Sequence, residues 1–207
     1  MDDPSAIAAP QGTSAPQAGK GPAGASPETH GRDWPMVWLD LEMTGLEPES
    51  CHILEIASVV TDSALRVLGE GPDLVIHQPD EVLAEMNPWC QEHHTASGLV
   101  AKVRASEVSL AQAEEATLRF LRQYTHTGMS PLCGNSIFLD HRFLHRYMPR
   151  LTAFLSEQLI DVSTLKELVR RWYPDRRPPA KADGHRARED ILESIAELAF
   201  YRRALLR

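Results

Sequence analysis

The stretch Met36-Val37-Trp38-Leu39-Asp40-Leu41-Glu42-Met43-Thr44-Gly45-Leu46 constrains this chain more than any other. Its apolar residues have the length and type of a buried strand, and the run stops at a Thr-Gly turn. Successive strand side chains point to opposite faces, so Asp40 and Glu42 are expected on one face and Leu41 on the other. No Lys or Arg occurs in the ten residues that follow Glu42. Two adjacent carboxylates repel, and a hard divalent cation, which prefers carboxylate oxygens, would relieve the repulsion. The plainer alternative is an exposed strand that happens to end in Asp-x-Glu.

Composition narrows the class. A chain of 207 residues with 43% hydrophobic and 24% charged content is ordinary for one soluble domain with a real core. No apolar run approaches the ~20 residues of a membrane span. Cys51, Cys90 and Cys133 are few, odd in number and far apart. That pattern argues against a disulfide scaffold or a zinc cluster and fits buried free thiols in a reducing compartment. The net charge of −8 is wrong for a general nucleic-acid binder. Its distribution is uneven. Residues 1–140 hold 7 Lys+Arg against 20 Asp+Glu, a balance of −13, and residues 141–207 hold 14 against 9, a balance of +5. An acidic part beside a basic one suits a metal-carboxylate centre next to a surface for an anionic substrate.

Residues 1–33 are rich in Ala, Pro, Gly, Ser and Gln and are expected to form a disordered tail, with one domain over 34–207. The tail has no apolar signal region. Its early Asp2 and Asp3, with Arg32 its only arginine, do not fit a mitochondrial presequence, so a cytoplasmic location is expected.

After the first strand, 52–61 (HILEIASVVT) is predicted as a second strand, with pieces of a third over 65–69 and 74–77. A short helix is predicted over 81–86 and an irregular loop over 89–100. Helical spacing covers 107–124, 131–134 is a short strand, 138–147 a helix and 158–161 a last strand. A stripe of Val162, Leu165, Leu168, Val169 and Trp172 predicts another helix, with Thr164 and Glu167 at capping-box spacing. Residues 174–184 form a Pro-rich charged loop, and Ala187, Ile191, Ile195, Leu198 and Leu205 line the inner face of a final helix. Three meandering strands followed by crossovers make an α/β domain with a mixed sheet flanked by helices.

Three later residues bear on the first strand. Asp140 lies at a helix start just after a strand, where ligand sites form in open α/β sheets. Asp190 lies near the start of the last helix, one turn beyond His185. Singly, Asp140 reads equally well as a helix cap, Asp190 as a solvated residue and His185 as a loop residue.

Together, Asp40-x-Glu42, Asp140 and His185-x4-Asp190 resemble the DEDDh exonucleases. More closely, WLDLEMTGL (38–46), HTASGL (94–99), PLCGNS (131–136), DVSTLKELVRRWYP (161–174) and the His-x-Ala-x-x-Asp-Ile-x-Glu-Ser run (185–194) resemble oligoribonucleases, including the animal small-fragment-nuclease form. The resemblance implies a ribonuclease-H-like fold and a homodimer that releases 5′-mononucleotides from the 3′ end of short single-stranded RNA, about two to five nucleotides long. It implies two Mg²⁺ or Mn²⁺ ions about 4 Å apart held by Asp40, Glu42, Asp140 and Asp190, with His185 as general base. It further implies substrate contacts from Leu46 as a wedge between bases, Trp89 as a stacking platform, His94 and Ser136. Ser163 and Thr164, at a helix N-terminus, suit a phosphate.

One departure stands out. Where relatives carry a Tyr-Arg pair just before Asp161, this chain has Glu157 and Gln158, which predicts weaker substrate binding and poorer selection for short chains with the metal site intact. The loop 174–184 is also shorter than is usual in the family. Two other readings remain open: a DEDDh exonuclease on DNA ends, and a catalytically weakened relative that only binds RNA. A mitochondrial location is the alternative to a cytoplasmic one.

Overall fold

A computed structural model describes residues 34–178 and 186–204. Its elements run β1 (Met36–Met43), β2 (Ile53–Thr61), β3 (Val67–Glu70), β4 (Leu74–Val75), α1 (Asp80–Ala84), α2 (Pro88–Ala96), α3 (Leu99–Ala105), α4 (Leu110–Leu121), β5 (Leu132–Gly134), α5 (Ile137–Tyr147), α6 (Pro149–Phe154), β6 (Leu159–Asp161), α7 (Val162–Trp172) and α8 (Ala187–Ala204). The sheet has the order β3-β2-β1-β5-β6, with β4 also paired to β2. β1 and β2 are antiparallel, while β1, β5 and β6 are parallel, so the sheet is mixed as the element order predicts.

The period of two in β1 sorts the molecule into layers. Val37, Leu39 and Leu41 point to one face, where they pack with Ala113, Leu118 and Leu121 of α4, Phe143 and Leu144 of α5 and Leu151 of α6. Trp38 points to the other face and packs with Ala57 and Val59 of β2, Val162 and Val169 of α7 and Ile191, Ile195 and Tyr201 of α8. Its indole N–H donates to the Thr61 hydroxyl at 2.9 Å, so this fully buried ring leaves no polar atom unmet. The parity that seats Trp38 places Asp40 and Glu42 on the α7–α8 face as well. A third, smaller cluster joins Leu54 to Leu83, Met86, Cys90, Leu99 and Val103 under α1–α3.

Several expectations need correction. The stretch 89–100 is not a loop: it is most of α2, then Gly98 in the left-handed region (φ 76°), then the start of α3. Asn87 caps α2 by accepting the Cys90 N–H, and Pro88 takes the first helical position. The helix α6 went unforeseen. Its N-terminus is met by the buried Glu114 carboxylate of α4, which accepts from the Arg150 and Leu151 N–H groups. α7 does not begin at a Thr164–Glu167 capping box. Asp161 is its cap and accepts the Ser163 N–H at 2.9 Å, leaving Thr164 exposed one turn inside. Trp172 leaves the apolar stripe and is 65% exposed. All three cysteines are free, but Cys51 is only half-buried. The expected tail 1–33, Leu205 and most of the loop 174–184 lie outside the described residues, within which no helix is long and apolar enough to cross a membrane.

Candidate metal centre

β1 outruns its neighbour. Only Val37 and Trp38 pair with β5, because β5 ends at Gly134. The Leu41 N–H, left without a strand partner on that side, donates instead to the Asp140 carboxylate at 2.9 Å. Asp140 reaches it from the first turn of α5. The hinge between β5 and α5 is tight: a Cβ on Gly134 would sit 2.8 Å from Ile137 Cδ1 and 3.1 Å from the Leu39 carbonyl oxygen. On the opposite edge, the β1–β2 register shifts between Glu42 and Met43. Such bulges re-aim side chains beside sites. The Met43 carbonyl accepts from His94 Nε2 at 2.9 Å, which ties α2 to the end of β1.

Asp190 arrives from the other direction, in the first turn of α8. One oxygen from each of Asp40, Glu42 and Asp190 lies within 4.8 Å of the other two, and all three residues are half-buried. Asp140 lies outside that trio but is near enough for its charge to act on Glu42. Burial, followed by the charges of Asp190, Glu55 and Asp140, pushes the Glu42 carboxyl up to about 8, and Arg186 opposes the rise. Burial pushes Asp140 up to about 7, against the stabilising N–H donors of Leu41 and of Asp140 itself. An all-oxygen donor set carrying excess negative charge fits a hard divalent cation.

The other predicted residues fall into four groups. Leu46 and Trp89 are 58% and 54% exposed, unusual for large apolar side chains. Trp89 stacks on His93 with ring centroids 3.9 Å apart. His94 is buried, and its Nδ1 lies 3.9 Å from Glu42 Oε2. Ser136 and Ser163 meet with their hydroxyls 3.2 Å apart. Ser136 sits at φ 52°, a strained value for a residue with a Cβ, and its N–H donates to both Asp161 and the Ser163 hydroxyl. The Asp161 carboxylate therefore already satisfies donors at the start of α7, beside which Thr164 stands exposed. His185 lies outside the described residues.

Sequence reasoning missed the residues that support this centre. Glu55 faces Glu42 across β1 and β2 and is wholly buried, and Arg186 clasps it. Asn135 donates to the Ser194 hydroxyl at 2.7 Å and to Glu197 at 3.3 Å, and Ser194 donates to the Asp190 carbonyl at 2.8 Å. The lone charge of Glu55 inside the apolar run HILEIASVV was the available signal.

Comparisons with known proteins identify the family. The family profile described as Exonuclease matches residues 37–198. The oligoribonuclease of Vibrio cholerae is 54% identical over 176 residues, 84% of this chain and 97% of that protein. That of Alcanivorax borkumensis is 56% identical over 168 residues, 81% of this chain and 93% of its own. The human protein named mitochondrial oligoribonuclease is 54% identical over 169 residues, 81% of this chain and 71% of its own. Among solved structures, Escherichia coli exonuclease I with a dT13 oligonucleotide superposes with a TM-score of 0.65 at 17% identity. The zinc-bound form of its complex with single-stranded DNA gives 0.67 at 16%. The matches cover 83% and 84% of this chain but only 41% of those longer chains, and show the shared ribonuclease-H-like exonuclease fold. The aligned span and its level of identity place this chain in the oligoribonuclease family of exonucleases.

Proposed function

We propose that this protein is a metal-dependent 3′-to-5′ exoribonuclease that degrades short single-stranded oligoribonucleotides to 5′-mononucleotides. The observation that carries the reading is the meeting of Asp40, Glu42 and Asp190 oxygens within 4.8 Å in a chain of this family. A phosphodiester repels an oxygen nucleophile, so its hydrolysis needs concentrated positive charge. Divalent cations, when bound, supply that charge and acidify water. Asp40, Glu42 and Asp190 would hold Mg²⁺ or Mn²⁺, and Asp140 would complete the ligand set for a second ion. His185 would take the proton from water, since imidazole titrates near neutral pH.

The exposed Leu46 and Trp89 would give apolar surface to the terminal bases, the usual means of holding single-stranded nucleic acid. His94, which backs Glu42, and Ser136 would complete the substrate side, with the Ser163 and Thr164 hydroxyls toward a 5′ phosphate. The active form in this reading is a homodimer. The location proposed is cytoplasmic, with mitochondria as the alternative that the name of the human relative supports.

The test is a 5′-labelled RNA pentamer with Mn²⁺, run beside its deoxy counterpart. The reading predicts a ladder shortening from the 3′ end of the RNA, stopped by EDTA. Equal decay of the deoxy chain would favour a DNA-end exonuclease, and decay of neither would favour a binding protein.

A further inference from the structure

Glu55 is a carboxylate with no exposure at all, in the middle of the sheet. Its register partner is Glu42, and directly opposed residues of an antiparallel pair share a face. Left alone, it would add a further negative charge beside Asp40, Glu42, Asp140 and Asp190. Arg186 opposes this by a forked contact. Its Nε donates to Glu55 Oε1 and Oε2 at 3.1 Å each, and its Nη2 donates to Oε1 at 2.5 Å. Asp73 Oδ2 stands 4.0 Å from the same Nη2. The hydrogen bonds it donates to Glu55 hold the guanidinium above the ordinary arginine range, so the charge is fixed.

Arg186 also begins the architecture of α8. Its carbonyl accepts the Asp190 N–H at 3.0 Å, and the next residue, Ala187, is fully buried. One side chain thus joins the start of β2 to the turn that carries Asp190, across 131 residues of sequence.

We propose that Arg186, clasped by Glu55, is a positioning residue: it sets the first turn of α8, and through it the placement of Asp190 against Asp40 and Glu42. This rests on the reading of that trio as a metal centre. A planar fork on a buried carboxylate fixes both distance and rotation, which an ammonium cannot do.

The experiment uses the full-length protein and the variants Arg186→Gln, Arg186→Lys and Glu55→Gln. Mn²⁺ binding is measured by calorimetry without RNA, and kcat and KM are measured on a short oligoribonucleotide. Groups that orient metal ligands typically change metal affinity about 10–100-fold. Arg186→Gln should weaken Mn²⁺ binding by that factor and lower kcat, with KM for RNA within about twofold. Arg186→Lys should fall between it and the parent. Glu55→Gln, which keeps an acceptor for Arg186, should lose less, and it and Arg186→Lys decide the matter if Arg186→Gln does not fold.

Unchanged Mn²⁺ affinity in folded variants overturns the proposal, as does a rise in KM with kcat preserved. A parent protein that binds Mn²⁺ but leaves RNA intact defeats the nuclease reading only, because the calorimetric comparison still decides the positioning role. A parent that binds no Mn²⁺ defeats both.

Discussion

In the proposed metal centre, Asp190 would serve chemistry at the expense of stability. Its charge is the largest electrostatic contribution to the upward push on Glu42. In the metal-free protein, Asp190→Asn should therefore raise the thermal midpoint, by the equivalent of about 1 kcal/mol. In the proposed metal centre the same change would remove a ligand for ions that supply several kcal/mol of transition-state stabilisation, so activity should fall about a thousandfold. Differential scanning calorimetry and initial rates read the two effects, and a variant that loses stability and activity together would contradict this division. The pH dependence has a definite sign. Glu42 titrates at about 8 in the fold against an ordinary 4.5, and Asp140 at about 7 against 3.8. The native state holds these protons more tightly than the unfolded chain, so stability is fully present below the ordinary values and is lost as pH rises through about 7 to 8. The thermal midpoint of the metal-free protein should drop between about pH 5 and pH 8. Saturating Mn²⁺ should remove the drop, because the ligands bind it ionised.

Among the elements, β5 and its hinge into α5 decide where Asp140 stands. Gly134→Ala would drive a methyl against Ile137 and the Leu39 carbonyl. Overpacking of this kind costs about 1–3 kcal/mol, and here it would also displace Asp140. Adding Ile137→Val removes the nearer clash and should recover part of both stability and activity, whereas no recovery would mean the Leu39 carbonyl is the controlling contact. The legibility of the elements varied for physical reasons. β1 was readable because an apolar run with a period of two places Trp38 on the face of Asp40 and Glu42 whatever lies around it. α4 was readable because its apolar residues recur along one face, although the reciprocal Ser109–Gln112 cap that sets its start went unread. α2 was not, because its buried residues are only Cys90 and His94, too few to mark a face, and the polar run around them reads as loop. Its one legible signal was the Asn87-Pro88 cap. The start of α7 was misjudged because two capping signals compete within four residues, and Asp161 at the strand end wins by also accepting from Ser136.

At the scale of the whole molecule, the metal-ligand candidates come from four places in the chain, and the fold brings three of them within 4.8 Å: Asp40 and Glu42 on β1 with Asp190 on α8. Strand parity could foretell only the pairing of Asp40 with Glu42. The approach of Asp190, and of the supports Arg186 and Ser194, depends on how α8 lies across the sheet, which no local pattern encodes. The exposed Glu157 and Gln158 stand where the family resemblance leads one to expect Tyr and Arg. Restoring Glu157→Tyr and Gln158→Arg should tighten binding of a 5′-phosphorylated dinucleotide about tenfold or more, the worth of one charge-assisted hydrogen bond. Equilibrium binding in Ca²⁺ would check this, and no gain would show that this edge does not face the substrate.

The most direct test of the central claim, that the carboxylate centre hydrolyses short RNA, is the decay of a 5′-labelled RNA dinucleotide and a 20-mer side by side in Mn²⁺, with Asp140→Ala as the control. The account predicts that the parent protein degrades the dinucleotide, with its margin over the 20-mer narrowed by Glu157 and Gln158, and that the variant is silent. Decay that persists in Asp140→Ala, or an inert dinucleotide with the parent protein, would contradict it.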